Sequence, residues 1–251
     1  MVNLEVNSNI IENVGLVIFD KDGTLMDLYN YWSSMVGYRV ELIKQRLGFN
    51  DTQKKEIMYA MGVDLANKRL RSEGPVGIKK REIVMAAMEN SLSGMGFCGI
   101  HDLCFEIFGE ADKMSLEHLP EIVKPVKGMH ELINALHERL CHIAIATTDK
   151  TERAKLAIKF LEISDKVDIV VGEDMVKNYK PYPDMINFIL NSLSVDKDSA
   201  VMVGDAIADI EMGNNAGLKA SIAVCSGIAS KGQFLGKTKH VVQDISEITI
   251  I

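Results

Sequence analysis

The segment Phe19-Asp20-Lys21-Asp22-Gly23-Thr24-Leu25 ends an apolar run in two carboxylates that flank a single residue. In an open α/β sheet, side chains beyond the carboxyl end of a strand face the crevice where ligands bind. Such carboxylates can serve as nucleophile, proton carrier or cation ligand, and Gly23 allows a tight turn whose N–H groups approach an anion. Taken alone, Asp-x-Asp-Gly reads equally well as a calcium-loop fragment or a plain turn. Three further signals carry the same ambiguity. The run His142-Ile143-Ala144-Ile145-Ala146 ends in Thr147 and Thr148, whose hydroxyls can donate to a phosphoryl oxygen or cap the following helix. Lys180 precedes Pro181, Tyr182 and Pro183; a lone lysine is normally a solvated charge, but prolines restrict the backbone and would hold this ammonium in one place. Val201-Met202-Val203-Gly204-Asp205 repeats the strand-then-carboxylate ending. Asp209, about one helical turn on, can share its face, although an Asp near a helix start is ordinarily a favourable dipole interaction.

Bringing these segments together requires particular elements. Short β-rich runs recur at 142–147, 167–172, 200–205, 221–225 and, more weakly, 240–243. Helical patterns separate them, at 153–161 after a possible cap at Thr151 and at 183–193 with Pro183 in the first turn, which is the signature of βαβ units. One more strand is expected at 15–20. All four signals thus fall at the carboxyl end of an expected strand or in the connection after it, an alignment that unrelated turns and caps would rarely produce. Over 28–119 apolar residues follow helical spacing instead, as in Trp32, Val36, Val40, Ile43 and Leu47, then Ile83, Val84, Ala87, Met88 and Leu92. The pattern predicts an α/β fold with a doubly wound, mostly parallel sheet made from residues 1–27 and 121–251. An all-helical insertion, 28–120, follows its first strand.

Bulk properties narrow the function. Hydrophobic residues at 47% and charged residues at 25% describe an ordinary globular chain. A net charge of −7 would repel a nucleic-acid backbone, so no nucleic-acid partner is expected. No apolar run approaches membrane-spanning length and the first basic residue is Lys21, so the expectation is no membrane association and a cytoplasmic location. Cys98, Cys104, Cys141 and Cys225 lack zinc-site or disulfide-framework spacing and are expected to be buried thiols.

The order Asp-x-Asp, Thr, Lys, Gly-Asp-x-x-x-Asp, with a helical insertion after the first motif, resembles the haloacid dehalogenase superfamily. The closest look is to its phosphoglycolate phosphatase and β-phosphoglucomutase branch. The resemblance covers the whole α/β core, and the insertion corresponds to the family's cap domain. It implies Asp20 as nucleophile, Asp22 as general acid and base, and Thr147 as the phosphate-binding hydroxyl. It implies Lys180 as the phosphate-binding lysine and Asp205 and Asp209 as metal carboxylates. Gly23 and Thr148 would add to the phosphate cradle. Independently of the resemblance, four carboxylates against Lys180 leave three uncompensated negatives, and each like-charge pair about 4 Å apart costs roughly 4 kcal/mol at an effective dielectric of 20. A divalent cation relieves this, and an all-oxygen set suits Mg2+, with Asp20, the Asp22 carbonyl and Asp205 as direct ligands and Asp209 direct or through water.

The implied activity is a phosphoric monoester hydrolase acting on a small phosphorylated metabolite, as a monomer or homodimer, with a phosphomutase sharing every core residue as the alternative. A dehalogenase would leave Asp22 and Asp209 without work, and a phospho-acceptor receiver places its acidic residues in a different order. The insertion is expected to close over the site and set specificity. Candidates are Tyr29, Tyr31 and Trp32, and the loop 72–78 with Arg69, Arg71, Lys79, Lys80 and Arg81 around it. A solvated helix face explains the same basic charges.

Overall fold

The computed structural model describes all of residues 1–251. The chain begins with a hairpin of β1 (Val2–Val6) and β2 (Asn9–Val14), then β3 (Leu16–Phe19). Next come helices α1 (Leu28–Leu47) and α2 (Asp51–Ala60), strands β4 (Val63–Asp64) and β5 (Arg69–Leu70), and helices α3 (Arg81–Gly94), α4 (His101–Glu117) and α5 (Leu119–Ile122). The remainder alternates: α6 (Met129–Glu138), β6 (His142–Ala146), α7 (Thr151–Phe160), β7 (Ile169–Val171), α8 (Asp184–Leu193), β8 (Ala200–Gly204), α9 (Ile207–Asn215), β9 (Ala220–Val224), β10 (His240–Val242) and β11 (Ile248–Ile250). Two compact units result, one made of Met1–Asp27 with Lys124–Ile251 and the other of Leu28–Val123.

In the first unit six strands form a parallel sheet in the order β10-β9-β8-β3-β6-β7. All four residues of β3 are buried, as a central strand covered on both faces requires. Leu16 and Ile18 pack with Ala144, Met202 and the α8 residues Met185, Ile186 and Ile189 in one cluster. Their alternation with Val17 and Phe19, which are also buried, shows apolar material on the opposite face. Where the chain leaves this unit and returns, Asp27 donates its N–H to the Lys124 carbonyl at 2.8 Å and Met26 bridges to Pro125.

Several features differ from the sequence reading. A three-stranded antiparallel sheet, β11-β1-β2, was not expected. Its turn is Asn7-Ser8, with φ of 48° and 59°, the left-handed pair that a two-residue hairpin needs. β1 finds its second partner, β11, only at the far end of the chain. Thr151 is not a cap but the first residue of α7. Its N–H and hydroxyl both donate to Asp174 Oδ1 at 2.8 Å, so a carboxylate distant in sequence does the capping. Pro183 stands just before α8 rather than within its first turn. Of the four cysteines only Cys104 and Cys141 are buried; Cys98 is exposed and Cys225 partly so.

The second unit is helical except for the β4-β5 hairpin, which corrects the all-helical expectation. Asp64 accepts from the Asn67 N–H at 3.1 Å and from Asn67 Nδ2 at 2.8 Å, and this local turn chemistry closes strands too short to show an alternating pattern. The unit has its own core, in which Val36, Val40 and Ile43 of α1 meet Met88 and Leu92 of α3 and Ile107 and Phe108 of α4. Buried Arg39 lies 4.2 Å above the Phe108 ring and 3.5 Å from Asp112, which also pairs with Arg81. Burial pulls the Arg39 guanidinium down to about 10 against the opposing pull of Asp112. None of the helices is long and apolar enough to cross a membrane.

Phe108 is fully buried and supports a guanidinium as well as an apolar cluster. Phe108→Ala should therefore cost about 3–5 kcal/mol in denaturant unfolding. A cost below about 1 kcal/mol would show that this core collapses without it.

Candidate active site

The parallel register assembles the site. Phe19 pairs with Ile145 on one side and Val203 on the other, so the residues just past each strand, Asp20, Thr147 and Asp205, emerge at the same end of the sheet. The Asp20 N–H donates to the Val203 carbonyl at 2.9 Å, extending the β3–β8 ladder up to the carboxylate itself. Asp20, Asp205 and Asp209 are all buried, and each offers a carboxylate oxygen within 4.8 Å of the others. Lys180, also buried, donates from Nζ to Asp20 Oδ1 at 2.5 Å and pairs with Asp209 Oδ1 at 2.7 Å. Asp209 is fixed at its other oxygen by the Ala206 N–H at 2.9 Å, in the first turn of α9.

Electrostatics follow from this crowding. Burial pushes the Asp20 carboxyl up to about 7; Lys180 opposes the shift, and Asp209 and Asp22 add to it. Asp205 is raised well above the ordinary carboxylate value, first by burial and then by Asp20 and Asp209. Burial alone would lower the Lys180 ammonium, but Asp20 and Asp209 outweigh it and hold the group above its usual value. The donor set therefore fits a hard divalent cation: three buried carboxylates converge, one ammonium leaves them under-neutralised, and every donor is oxygen.

Two glycines give Asp205 its place. Gly23 adopts φ of 90°, and a Cβ built there would lie 2.5 Å from Asp205 Oδ2. At Gly227 a Cβ would overlap the same oxygen. Ser226 donates to the Gly23 carbonyl at 2.6 Å and joins these two segments, while Thr24 Oγ1 lies 3.5 Å from Asp205 Oδ1.

The other expected residues divide. Thr147 is fully buried, and its Oγ1 accepts from the Asp149 N–H at 3.1 Å, leaving the hydroxyl proton for another acceptor. Thr148 is exposed. The Asp22 side chain lies outside the three-carboxylate group and pairs with Lys21, Nζ to Oδ1 2.6 Å. Lys21 was absent from the sequence-based charge count; including it leaves two uncompensated negatives rather than three. A lysine placed between two carboxylates in a segment otherwise reading as buried was the available signal. Ser226 and Gly227 were also missed, and a Ser-Gly after a strand offers little to single it out. In the helical unit Tyr31 is buried, edge-on to Trp32 at 5.2 Å, and Tyr29 and Trp32 pack on the local core. Arg71 lies 4.0 Å over the Tyr59 ring, Arg69 pairs with Asp64 at 3.5 Å and Arg81 with Asp112, whereas Lys79 and Lys80 are exposed.

A family model for haloacid dehalogenase-like hydrolases matches residues 17–224. The pyrophosphatase PpaX of Halalkalibacterium halodurans is 34% identical over 116 residues, 46% of this chain and 53% of that protein. PpaX of Listeria monocytogenes is 32% identical over 102 residues, 41% of this chain and 47% of that protein. The chain thus spans about half the length of these relatives. Solved structures of similar fold include a HAD-superfamily hydrolase of subfamily IA from Geobacter sulfurreducens, with a TM-score of 0.64, 17% identity and 94% of each chain covered. Another, from Thermotoga maritima and assigned as a β-phosphoglucomutase, has a TM-score of 0.63 and 22% identity over 93% of this chain and 96% of that one.

Because the folded Asp20 value exceeds the unfolded 3.8, its contribution to stability is full below about pH 4 and is lost as pH rises through about 7. The metal-free protein should therefore melt at a lower temperature at pH 8 than at pH 5.5, and Asp20→Asn should flatten that difference; an equal pH dependence in both proteins would contradict the assignment. Gly227→Ala, by displacing the Asp205 carboxylate, should weaken divalent-cation binding about tenfold or more in a calorimetric titration. Unchanged affinity would mean that Asp205 does not hold the ion.

Proposed function

We propose that this chain, which belongs to the haloacid dehalogenase-like hydrolase family, is a magnesium-dependent phosphatase that hydrolyses a small phosphomonoester through an aspartyl-phosphate on Asp20. The observation that carries the reading is Asp20 itself: a buried carboxylate at a strand end, 2.5 Å from a buried lysine and grouped with two further carboxylates.

Asp20, Asp205, Asp209 and the backbone carbonyl of Asp22 would hold the cation. When bound, Mg2+ would polarise the phosphoryl oxygens and offset the charge that develops on them. Asp20 uses its carboxylate oxygen to attack phosphorus as the bond to the leaving oxygen breaks. Lys180 and the free proton of Thr147 hold the transferring oxygens, with Thr148 and the Gly23 turn completing the cradle. Asp22 gives its proton to the departing alkoxide, then takes one from the water that attacks the phosphorylated Asp20. Inorganic phosphate leaves and both carboxylates return to their starting state. Lys180 is suited to this work because its two carboxylate partners keep it charged, and its burial fixes its direction.

The candidate esters are phosphoglycolate, sugar phosphates, nucleotides and phospho-amino compounds. A phosphomutase would use the same groups and return the phosphoryl group to a bound sugar. Diphosphate belongs among the candidate substrates because the relatives from H. halodurans and L. monocytogenes are named pyrophosphatases.

A screen for phosphate release should find a turned-over substrate among phosphoglycolate, sugar phosphates, nucleotides and diphosphate, with Mg2+ present and no bisphosphate primer added. Turnover should stop with EDTA and return with Mg2+. Asp20→Asn should lower kcat by about 10⁴-fold or more. Substantial metal-dependent turnover by Asp20→Asn would overturn the nucleophile assignment, and strict dependence on a bisphosphate primer would favour the mutase.

A further inference from the structure

Lys21 is the one residue between the two catalytic-motif carboxylates, and only 3% of its side chain is exposed. Lysine is rarely buried to this degree unless its charge is matched, because an unpaired ammonium is costly to desolvate. Its partners define a chain of ion pairs. Lys21 Nζ lies 2.6 Å from Asp22 Oδ1 and 3.6 Å from Asp149 Oδ2, and Arg153 Nε lies 3.5 Å from the same Asp149 oxygen.

The backbone makes this possible. In an extended strand neighbouring side chains point to opposite faces, so Lys21 and Asp22 could not meet. Here the chain turns immediately after β3, where the Leu25 and Met26 N–H groups both donate to the Lys21 carbonyl at 3.0 Å. The side chain of Lys21 then folds back to Asp22. The other end of the chain of charges is equally anchored: the Asp149 N–H donates to Thr147 Oγ1 at 3.1 Å and its Oδ1 accepts from the Lys150 N–H at 2.9 Å. The Asp22 side chain, at 29% exposed, is far more solvated than Lys21, and Lys21 is the group that restrains it.

We propose that Lys21 is a positioning residue that holds the Asp22 carboxyl in the orientation needed to exchange a proton with the leaving oxygen, with Asp149 locking Lys21 in turn. This rests on the reading of Asp22 as the proton carrier. It assigns work to the residue between the two aspartates, and it links the loop after β6, which carries Thr147, to the loop after β3. A group that acts by placing a proton donor matters in proportion to how badly the leaving group needs the proton. A lysine that merely fills space affects every substrate alike.

The test uses the full chain with Mg2+ and two probes of similar shape, phenyl phosphate, whose leaving group needs protonation, and p-nitrophenyl phosphate, whose leaving group needs it far less. The readout is kcat/KM, which reports phosphoryl transfer to the enzyme and not the later hydrolysis. Lys21→Met should lower kcat/KM about 10- to 100-fold for phenyl phosphate and less than about 3-fold for p-nitrophenyl phosphate. Lys21→Arg should recover most of the loss. Asp149→Asn, which loosens Lys21 without removing it, should show the same selectivity more weakly and serves if Lys21→Met does not fold. Asp22→Asn should be the most selective of all. Equal losses on both esters for Lys21→Met and Asp149→Asn, beside a selective Asp22→Asn, would overturn the role of Lys21 alone. An unselective Asp22→Asn would overturn the proton-carrier reading and this proposal with it.

Discussion

Three carboxylates, Asp20, Asp205 and Asp209, are buried with oxygens within 4.8 Å of one another, and only one ammonium, that of Lys180, touches the group. At such separations each like-charge pair costs several kcal/mol even at an intermediate dielectric, and burial adds the cost of stripped water. A fold that maintains this arrangement must hold it by its backbone. The parallel sheet does so, since the ladder bond from Asp20 to Val203 runs to the base of the charged residue and the first turn of α9 holds Asp209 from the other side. The fit of this group to a divalent cation follows from the same excess of negative charge.

Two buried lysines divide the charge balance. Lys180 lies inside the carboxylate group and ties Asp20 to Asp209, while Lys21 lies against Asp22 and Asp149. Asp20 and Asp22, one residue apart, therefore occupy different electrostatic surroundings. One is crowded by carboxylates and raised by burial, the other is partly solvated and paired with its own cation.

The legible parts of the sequence were those in which a local pattern and a chemical residue coincide. Strands β3, β6 and β8 are continuous apolar runs that end in Asp20, Thr147 and Asp205, so both the sheet and the positions of these residues could be read together. The hairpin of β1 and β2 was missed although Val2, Leu4 and Val6 alternate with Asn3 and Glu5 ahead of the Asn7-Ser8 turn; only the pairing of β1 with β11, at the opposite end of the chain, left no local trace. The capping of α7 by Asp174 and the overlap that excludes a side chain at Gly227 are tertiary facts of the same kind. Lys21 was visible but left out of the charge count, and only the turn after β3 brings it onto Asp22.

The most direct test of shared cation binding is an anomalous-difference map from crystals of the full chain soaked with Mn2+ in place of Mg2+. One strong peak coordinated by carboxylate oxygens of both Asp20 and Asp205 is the result predicted here. A peak elsewhere, or none within coordinating distance of that pair at saturating Mn2+, would contradict it.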